Sequence, residues 1–257
     1  MPAREGNTVT GTDRASSADQ NVVWITGAGS GMGRAVAESA ASRGYRVALS
    51  GRRVDALEET AQAVRDSRGE ALVIPLDATN DAEVRSAGER IERELGPLTH
   101  LVLSAGLNTP ERYWRDQDMG DFTAIVQTNL VAAASAVSAV LPGMRARSNG
   151  VVVFISSYSG WRFSPDAGVA YSASKSALAS LAETLNAQEN TNGVRACHLC
   201  PGDVDTDFLS MRPRVPGESE RDVMLSPADI AATVQFVLDS PRHVCINELV
   251  ITPTKAR

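Results

Sequence analysis

A five-residue apolar run, Val22–Thr26, leads directly into Gly27-Ala-Gly-Ser-Gly-Met-Gly33 and then into a stretch of helical periodicity, Arg34–Arg43. No other feature restricts the fold as tightly. Glycine lets a chain turn sharply and lets a ligand approach the backbone. The helix that follows offers free N–H groups and a positive dipole end to an anion. Together, strand, turn and helix predict a phosphate-binding corner of dinucleotide type, with Gly27, Ser30, Gly31, Met32 and Gly33 as its cradle. The strict G-x-G-x-x-G spacing is not met, because from Gly27 or Gly29 the last position is Met32 or Arg34. The spacing present is T-G-x-x-x-G-x-G, through Thr26, Gly27, Gly31 and Gly33.

Further apolar runs follow at Arg46–Ser50, Ala71–Leu76, Leu98–Ser104, Val151–Ser156, Val194–Cys200 and Asn247–Ile251. Several are continuously apolar rather than alternating, as in strands covered on both faces. Helical patterns lie between them, among them Val54–Ser67 and Asp81–Leu95, the latter closed by Gly96-Pro97. This β-α-β-α order predicts an α/β fold, a doubly wound parallel sheet in a single domain spanning 21–257. The segment 203–225 breaks the rhythm with Pro213, Pro216 and Gly217. It reads as a substrate loop or lid; a plain surface connection is the alternative.

The polar stretch 1–20 has neither the basic start nor the apolar middle of a secretory signal, so we expect a flexible leader and a cytoplasmic protein. A net charge of -6 disfavours nucleic acid and anionic membranes as partners. The three cysteines do not suggest a disulfide framework. Cys197 and Cys200 fall in a buried-strand pattern, and His198 alternates to the other face from both its neighbours, so no metal site is expected.

The second run ends Leu49-Ser-Gly-Arg-Arg53, with no carboxylate before Asp55. A carboxylate there would suit a ribose 2′-OH, whereas guanidiniums suit a 2′-phosphate. Arg52 and Arg53 therefore point to NADP(H), with NAD(H) possible; a solvated helix start is the plainer reading. Tyr171 and Lys175 are four residues apart in a helical pattern and share a face. An ammonium beside a phenol lowers its pKa and fits it for proton exchange with a substrate oxygen. An ordinary exposed pair has the same spacing. Ser156 and Ser157 close the fifth run, where ligands of open parallel sheets bind, and a serine there can donate to a carbonyl oxygen. His100, His198 and His243 are the only histidines, and no G-x-S-x-G elbow exists, which argues against a serine hydrolase.

In this order the motifs resemble the single-domain branch of the short-chain dehydrogenase/reductase family, over nearly everything after the leader. The resemblance implies a Rossmann-type fold and an oxidoreductase that passes a hydride between NADP(H) and a secondary alcohol or ketone. It implies a tetrad of Asn129, Ser157, Tyr171 and Lys175. It also implies adenine contacts at Asp77 and Ala78, a cofactor wall at Ser104, Ala105 and Gly106, and contacts around the nicotinamide carboxamide from Pro201, Gly202, Val204 and Thr206. Tyr171 and Lys175 would touch the cofactor as well. Ser104 stands where the family usually has asparagine. The interval from Ser157 to Tyr171 is one residue longer than expected, which keeps Ser156 as a rival. Tyr158, Trp161, Phe163 and Met211 are candidates for an apolar pocket, or for loop packing. The helical patterns Asp121–Arg147 and Val169–Glu189 resemble the family's oligomer interface, implying a homotetramer or homodimer. An NAD-dependent relative and a non-catalytic NADP(H)-binding sensor are the competing readings.

Overall fold

The computed structural model describes residues 21–254; the expected leader lies outside the described residues. The chain alternates strands and helices: β1 (Val22–Thr26), α1 (Gly31–Ser42), β2 (Arg46–Gly51), α2 (Val54–Asp66), β3 (Ala71–Pro75), α3 (Asp81–Glu94) and β4 (Leu98–Leu103). There follow α4 (Met119–Val126), α5 (Ala132–Ala146), β5 (Gly150–Ile155), α6 (Tyr158–Trp161), α7 (Val169–Glu189), β6 (Val194–Pro201), α8 (Glu218–Arg221), α9 (Pro227–Leu238) and β7 (Glu248–Ile251). The strands form one sheet in the order β3-β2-β1-β4-β5-β6-β7, every pair parallel. The order reverses between β1 and β4, the switch point at which such sheets bind ligands.

Continuous apolar strands arise because helices cover both faces. On one side Val23, Ile25, Val47 and Leu49 meet Val36, Ala40, Leu57, Val64, Ile230 and Val234 of α1, α2 and α9. On the other, Trp24, Leu101, Val152 and Phe154 meet Ile91, Val137, Val140, Met144, Leu178 and Leu185 of α3, α5 and α7. Alternate residues of one strand thus feed opposite cores. Trp24 is fully buried and places its one polar atom on Ser50, Nε1 donating to Oγ at 2.9 Å. Polar caps set the helix starts: Asn80 accepts from the Ala82 and Glu83 amides at α3, and Ser226 and Asp229 form a capping box at α9.

The expected helix Asp121–Arg147 is interrupted. One π-helical turn, Gln127–Val131, separates α4 from α5, and it carries Asn129. Such insertions frequently mark functional sites. The run Met119–Ala146 is long and apolar enough to cross a membrane by composition alone. Here Ala136, Val140 and Met144 pack it onto the sheet, while Met119 and Val131 stand exposed.

Candidate active site

The glycine turn closes against the end of β4. Thr26 Oγ1 accepts from the Ser104 and Ala105 amides at 3.2 and 3.3 Å. Gly27 has φ +66°, and a Cβ there would lie 2.8 Å from the Ala105 nitrogen. Gly31 has φ +52°, and its Cβ would meet the Thr206 methyl at 3.2 Å. Gly27 demands glycine on two counts, conformation and space; at Gly31 the conformation demands it and the space is tight. Helix α1 then begins with no acidic residue in its first turn and no side-chain cap from Ser30. Its leading amides are left for a ligand.

A groove of about 580 Å³ runs beside this turn, lined by Ser30, Gly31, Arg34, Arg53 and Asp207. Arg53 donates to Ser30 Oγ at 3.0 Å across its mouth. Arg34 also lines it, held by Glu38 at 2.9 Å, and was not anticipated from sequence. Arg52 does not line the groove, and its charge acts weakly on Asp77. The Asp77 carboxylate is held below its usual range by the Thr79 amide and hydroxyl, at 2.9 and 2.8 Å, with a smaller contribution from Arg52. Asp77 and Ala78 follow β3 at the same sheet edge.

Asn129, Ser157, Tyr171 and Lys175 converge beyond the carboxyl ends of β4 and β5. Asn129 is buried; its Oδ1 accepts from the Leu107 amide at 2.7 Å, and its Nδ2 donates to the Leu107 carbonyl and to Ser174 Oγ. The π-turn is thereby tied to the chain after β4 and to α7. Ser157 caps α6, accepting from the Ser159 amide at 3.3 Å. Ser157 also lies close enough to Tyr171 to favour its phenolate form and so lower its pKa. Ser156 instead donates to the Lys175 carbonyl at 3.0 Å, so the longer interval does not bring Ser156 to the phenol. Gly106 stands at the centre: a Cβ on it would lie 3.8 Å from Asn129 Oδ1 and 3.9 Å from Lys175 Nζ. A small cavity of about 10 Å³, with Thr26, Asn129, Ile155 and Lys175 in its wall, has room for about one water.

The electrostatics differ from the simple tyrosine–lysine expectation. Burial raises the Tyr171 pKa above its ordinary value. What opposes the rise is the Ser157 hydrogen bond and the charges of Arg112 and Arg212, not Lys175. The ammonium lies 5.7 Å from the Tyr171 ring centroid and donates to the Ile155 carbonyl at 2.8 Å. Burial lowers the Lys175 pKa to about 8. Neither arginine was singled out from sequence.

Segment 203–225 is folded back on itself. Val204 pairs with Leu225 in a parallel bridge, and the Asp205 amide donates to the Leu225 carbonyl at 2.8 Å. Arg221 pairs with Asp205 at 2.6 Å, and Arg212 with Asp203. Phe208 lies 6.0 Å from Tyr171, ring to ring. Of the expected pocket residues, Tyr158 and Trp161 stack edge to face at 5.5 Å, and Met211 is half-buried. Phe163 is 88 % exposed; Phe208, not Phe163, is the phenylalanine beside Tyr171.

The β6 residues divide by face. Cys197 packs in the core with Val151 and Leu199. His198 and Cys200, two apart, share the opposite face and meet Glu248 of β7, with donor atoms within 4.8 Å of one another. Strand alternation parts His198 from Cys197 and Leu199 but puts it on the same face as Cys200, a grouping not expected from the sequence. Cys200 Sγ is nearly equidistant from both ring nitrogens, at 3.4 and 3.6 Å. It therefore lies over the imidazole face, away from the lone pair that a metal would use. Burial pushes both thiols up to about 12.

A family model described as short chain dehydrogenase matches residues 21–214. The chain belongs to that family. An uncharacterised oxidoreductase of Staphylococcus saprophyticus is 32% identical over 235 residues, covering 90% of this chain and 97% of its relative. A glycine betaine reductase of Emericella nidulans is 34% identical over 237 residues, but the match spans 18% of that much longer protein. Among solved structures, an alcohol dehydrogenase from the archaeon Thermococcus sibiricus, complexed with 5-hydroxy-NADP, superposes with a TM-score of 0.83 at 28% identity. It covers 93% of this chain and 99% of its own.

As a short-chain dehydrogenase the protein is an oxidoreductase that takes a nicotinamide dinucleotide, NADP(H) or NAD(H). The residues present fit that group. The Gly27–Gly33 turn leaves no space for side chains at Gly27 or Gly33, the α1 amides are unspent, and Thr206 faces Gly31 across the cradle. Pro201, Gly202 and Val204 continue the same edge from β6, the Gly202 amide donating to the Ile251 carbonyl at 2.7 Å.

Proposed function

We propose that this short-chain dehydrogenase interconverts a secondary alcohol and a carbonyl compound, with NADP(H) as its preferred cofactor and Tyr171 as its acid/base. The carrying observation is the meeting of four side chains at the sheet edge: Ser157 acts on the Tyr171 phenol, Lys175 Nζ lies 5.7 Å from the Tyr171 ring, and Lys175 and Asn129 both border Gly106. When bound, the nicotinamide supplies the hydride; the protein supplies orientation and charge. The Gly27–Gly33 turn, Met32 and Thr206 would hold its pyrophosphate, Asp77 and Ala78 its adenine, and Ser104 to Gly106 together with Pro201 to Val204 its nicotinamide half.

A protonated phenol is the form that can donate to a carbonyl oxygen becoming an alkoxide, and burial favours that form here. Ser157 donates to the same substrate oxygen and stabilises the charge that develops there. Lys175 holds cofactor ribose. Asn129 and Lys175 border the single-water cavity, which would seat a water beside the lysine, one helical turn from Tyr171. Arg53 and Ser30, joined at 3.0 Å at the groove mouth, support the NADP(H) preference. The exposed Met119 and Val131 beside α5 support a homotetramer or homodimer. The cytoplasm suits the charge and the three free thiols among the described residues.

The test is absorbance at the nicotinamide band with a panel of ketones and secondary alcohols, using each cofactor, on wild type and Tyr171→Phe. Turnover faster with NADPH that disappears in the variant, while cofactor still binds, is the expected result. Undiminished turnover in the variant overturns the role of Tyr171. Cofactor binding without turnover on any substrate favours the sensor.

A further inference from the structure

Arg112 is 4% exposed, and the hydride-transfer scheme gives it no task. Its guanidinium spans three segments. Nε donates to the Thr109 carbonyl at 2.7 Å, one terminal nitrogen to the Asp166 carbonyl at 3.4 Å, and the other to the Met211 carbonyl. Its backbone carbonyl accepts from the Val169 amide at 2.9 Å, and its stem packs against Gly168. Arg112 is thus wedged between the start of α7, two residues before Tyr171, and the turn that carries Phe208 onto the Tyr171 ring.

All three acceptors are neutral carbonyls. Three of the five guanidinium N–H groups are used, and the Asp166 carboxylate acts on the charge only weakly, from beyond hydrogen-bond distance. A buried cation held only by neutral groups is costly unless an anion joins it. Arg212, next to Met211, brings a second guanidinium to the same side of Tyr171, where Asp203 at the exposed rim is its partner. The two arginine charges repel each other, and both act on the Tyr171 hydroxyl. A cleft built for a neutral ketone has no use for two cations beside its acid/base.

Resting on the oxidoreductase reading above, we propose that the substrate is a carboxylate-bearing carbonyl compound, an oxo acid or the matching hydroxy acid, whose carboxylate is bound by Arg112 and Arg212. Planar guanidiniums match a carboxylate and fix its distance from the reacting carbon. Arg112 reaches the carboxylate from the fixed side of the cleft and Arg212 from the 203–225 segment. The same contact draws that segment toward the site. Phe208 and Met211 then cover the substrate's carbon skeleton.

The test pairs short 2-oxo and 3-oxo acids with their methyl esters, with a phosphorylated ketone as a third arm, in wild type, Arg212→Gln and Arg212→Lys. We expect kcat/KM to favour acid over ester by roughly tenfold or more, to lose that preference as ionic strength rises, and to lose it in Arg212→Gln through a higher KM for the acid. Arg212→Lys should restore part of it. Arg112→Met, checked for folding by circular dichroism, should reduce the ratio similarly. Esters and neutral ketones turned over as well as acids, with the ratio unmoved by Arg212→Gln, would defeat the carboxylate assignment and leave the oxidoreductase standing. Preference for the phosphorylated ketone would defeat it too. No turnover on any member with cofactor bound would defeat the hydride-transfer reading, and this inference with it.

Discussion

Lys175 Nζ donates to the Ile155 carbonyl at 2.8 Å, from a side chain that is 4% exposed. One neutral acceptor offsets little of the cost of burying an ammonium, which is why its pKa falls to about 8. The free enzyme therefore gives up stability to keep this charge at neutral pH.

Lys175→Met is accordingly expected to stabilise the cofactor-free protein while abolishing most turnover. The folded pKa lies below the unfolded value of about 10.4, so the unfolded chain binds more protons between pH 8 and 10.4, and stability from this group rises with pH across that window. At pH 7 the gain in the variant is at most about 3 kcal/mol, from a shift of some two units. Denaturant midpoints for both proteins at pH 7 and 10 check it. A variant that is less stable at both would show the ammonium to be a structural asset.

The two serines after β5 should separate by phenotype. Ser157→Ala removes the donor facing Tyr171 and is expected to lower kcat by about 10²–10³ with little change in stability. Ser156→Ala breaks the bond to the Lys175 carbonyl and should cost about 1 kcal/mol of stability, with a smaller kinetic effect. Single-turnover rates and thermal melts on both variants decide the assignment.

Cofactor choice should turn on Arg53. Replacing it with Asp puts a carboxylate beside Ser30 and should move the NADPH-to-NADH ratio of kcat/KM down by roughly tenfold to a hundredfold. Arg52→Asp should move it less, since Arg52 does not line the groove beside the glycine turn.

His100 in β4 provides an acid-sensitive point far from the chemistry. Burial lowers its pKa to about 4, with Thr99 bonded to its ring, Tyr45 edge-on at 5.1 Å, and the charges of Arg195 and Asp239 acting in opposite directions. The unfolded imidazole titrates near 6.5, so its contribution is fully present above that value and is lost as pH falls from about 6.5 to 4. Urea midpoints should drop over this interval in wild type and drop less in His100→Gln.

The strands and most helix ends were legible because burial on both sheet faces writes itself as unbroken apolar runs, Val194–Cys200 being the clearest. Val169–Glu189 is found with its expected bounds, since helix period and helix formers agree throughout it. The π-turn around Asn129 was not legible: Gln-Thr-Asn-Leu-Val carries no local signal for a fifth residue in a turn, and packing against Leu107 and Ser174 imposes it. Arg112 was invisible for a related reason. Its acceptors at Asp166 and Met211 lie 54 and 99 residues away along the chain, and no spacing rule reaches that far. Tyr171 and Lys175 were found by spacing, but the size and cause of their pKa shifts depend on burial, which a four-residue interval cannot report.

The Val204–Leu225 bridge shuts the 203–225 segment at its stem, so the two ends of that excursion are held by backbone bonds independent of what lies between. Residues 207–224 form a cassette between those ends, anchored where Leu209 is buried and where the Met211 carbonyl accepts from Arg112. Arg212 and Phe208 sit on that cassette, whereas Tyr171 and Lys175 sit on the frame. Selection for a new substrate can therefore rewrite one segment and inherit the proton chemistry intact, and a transplanted loop joined at Val204 and Leu225 is the natural unit for engineering it.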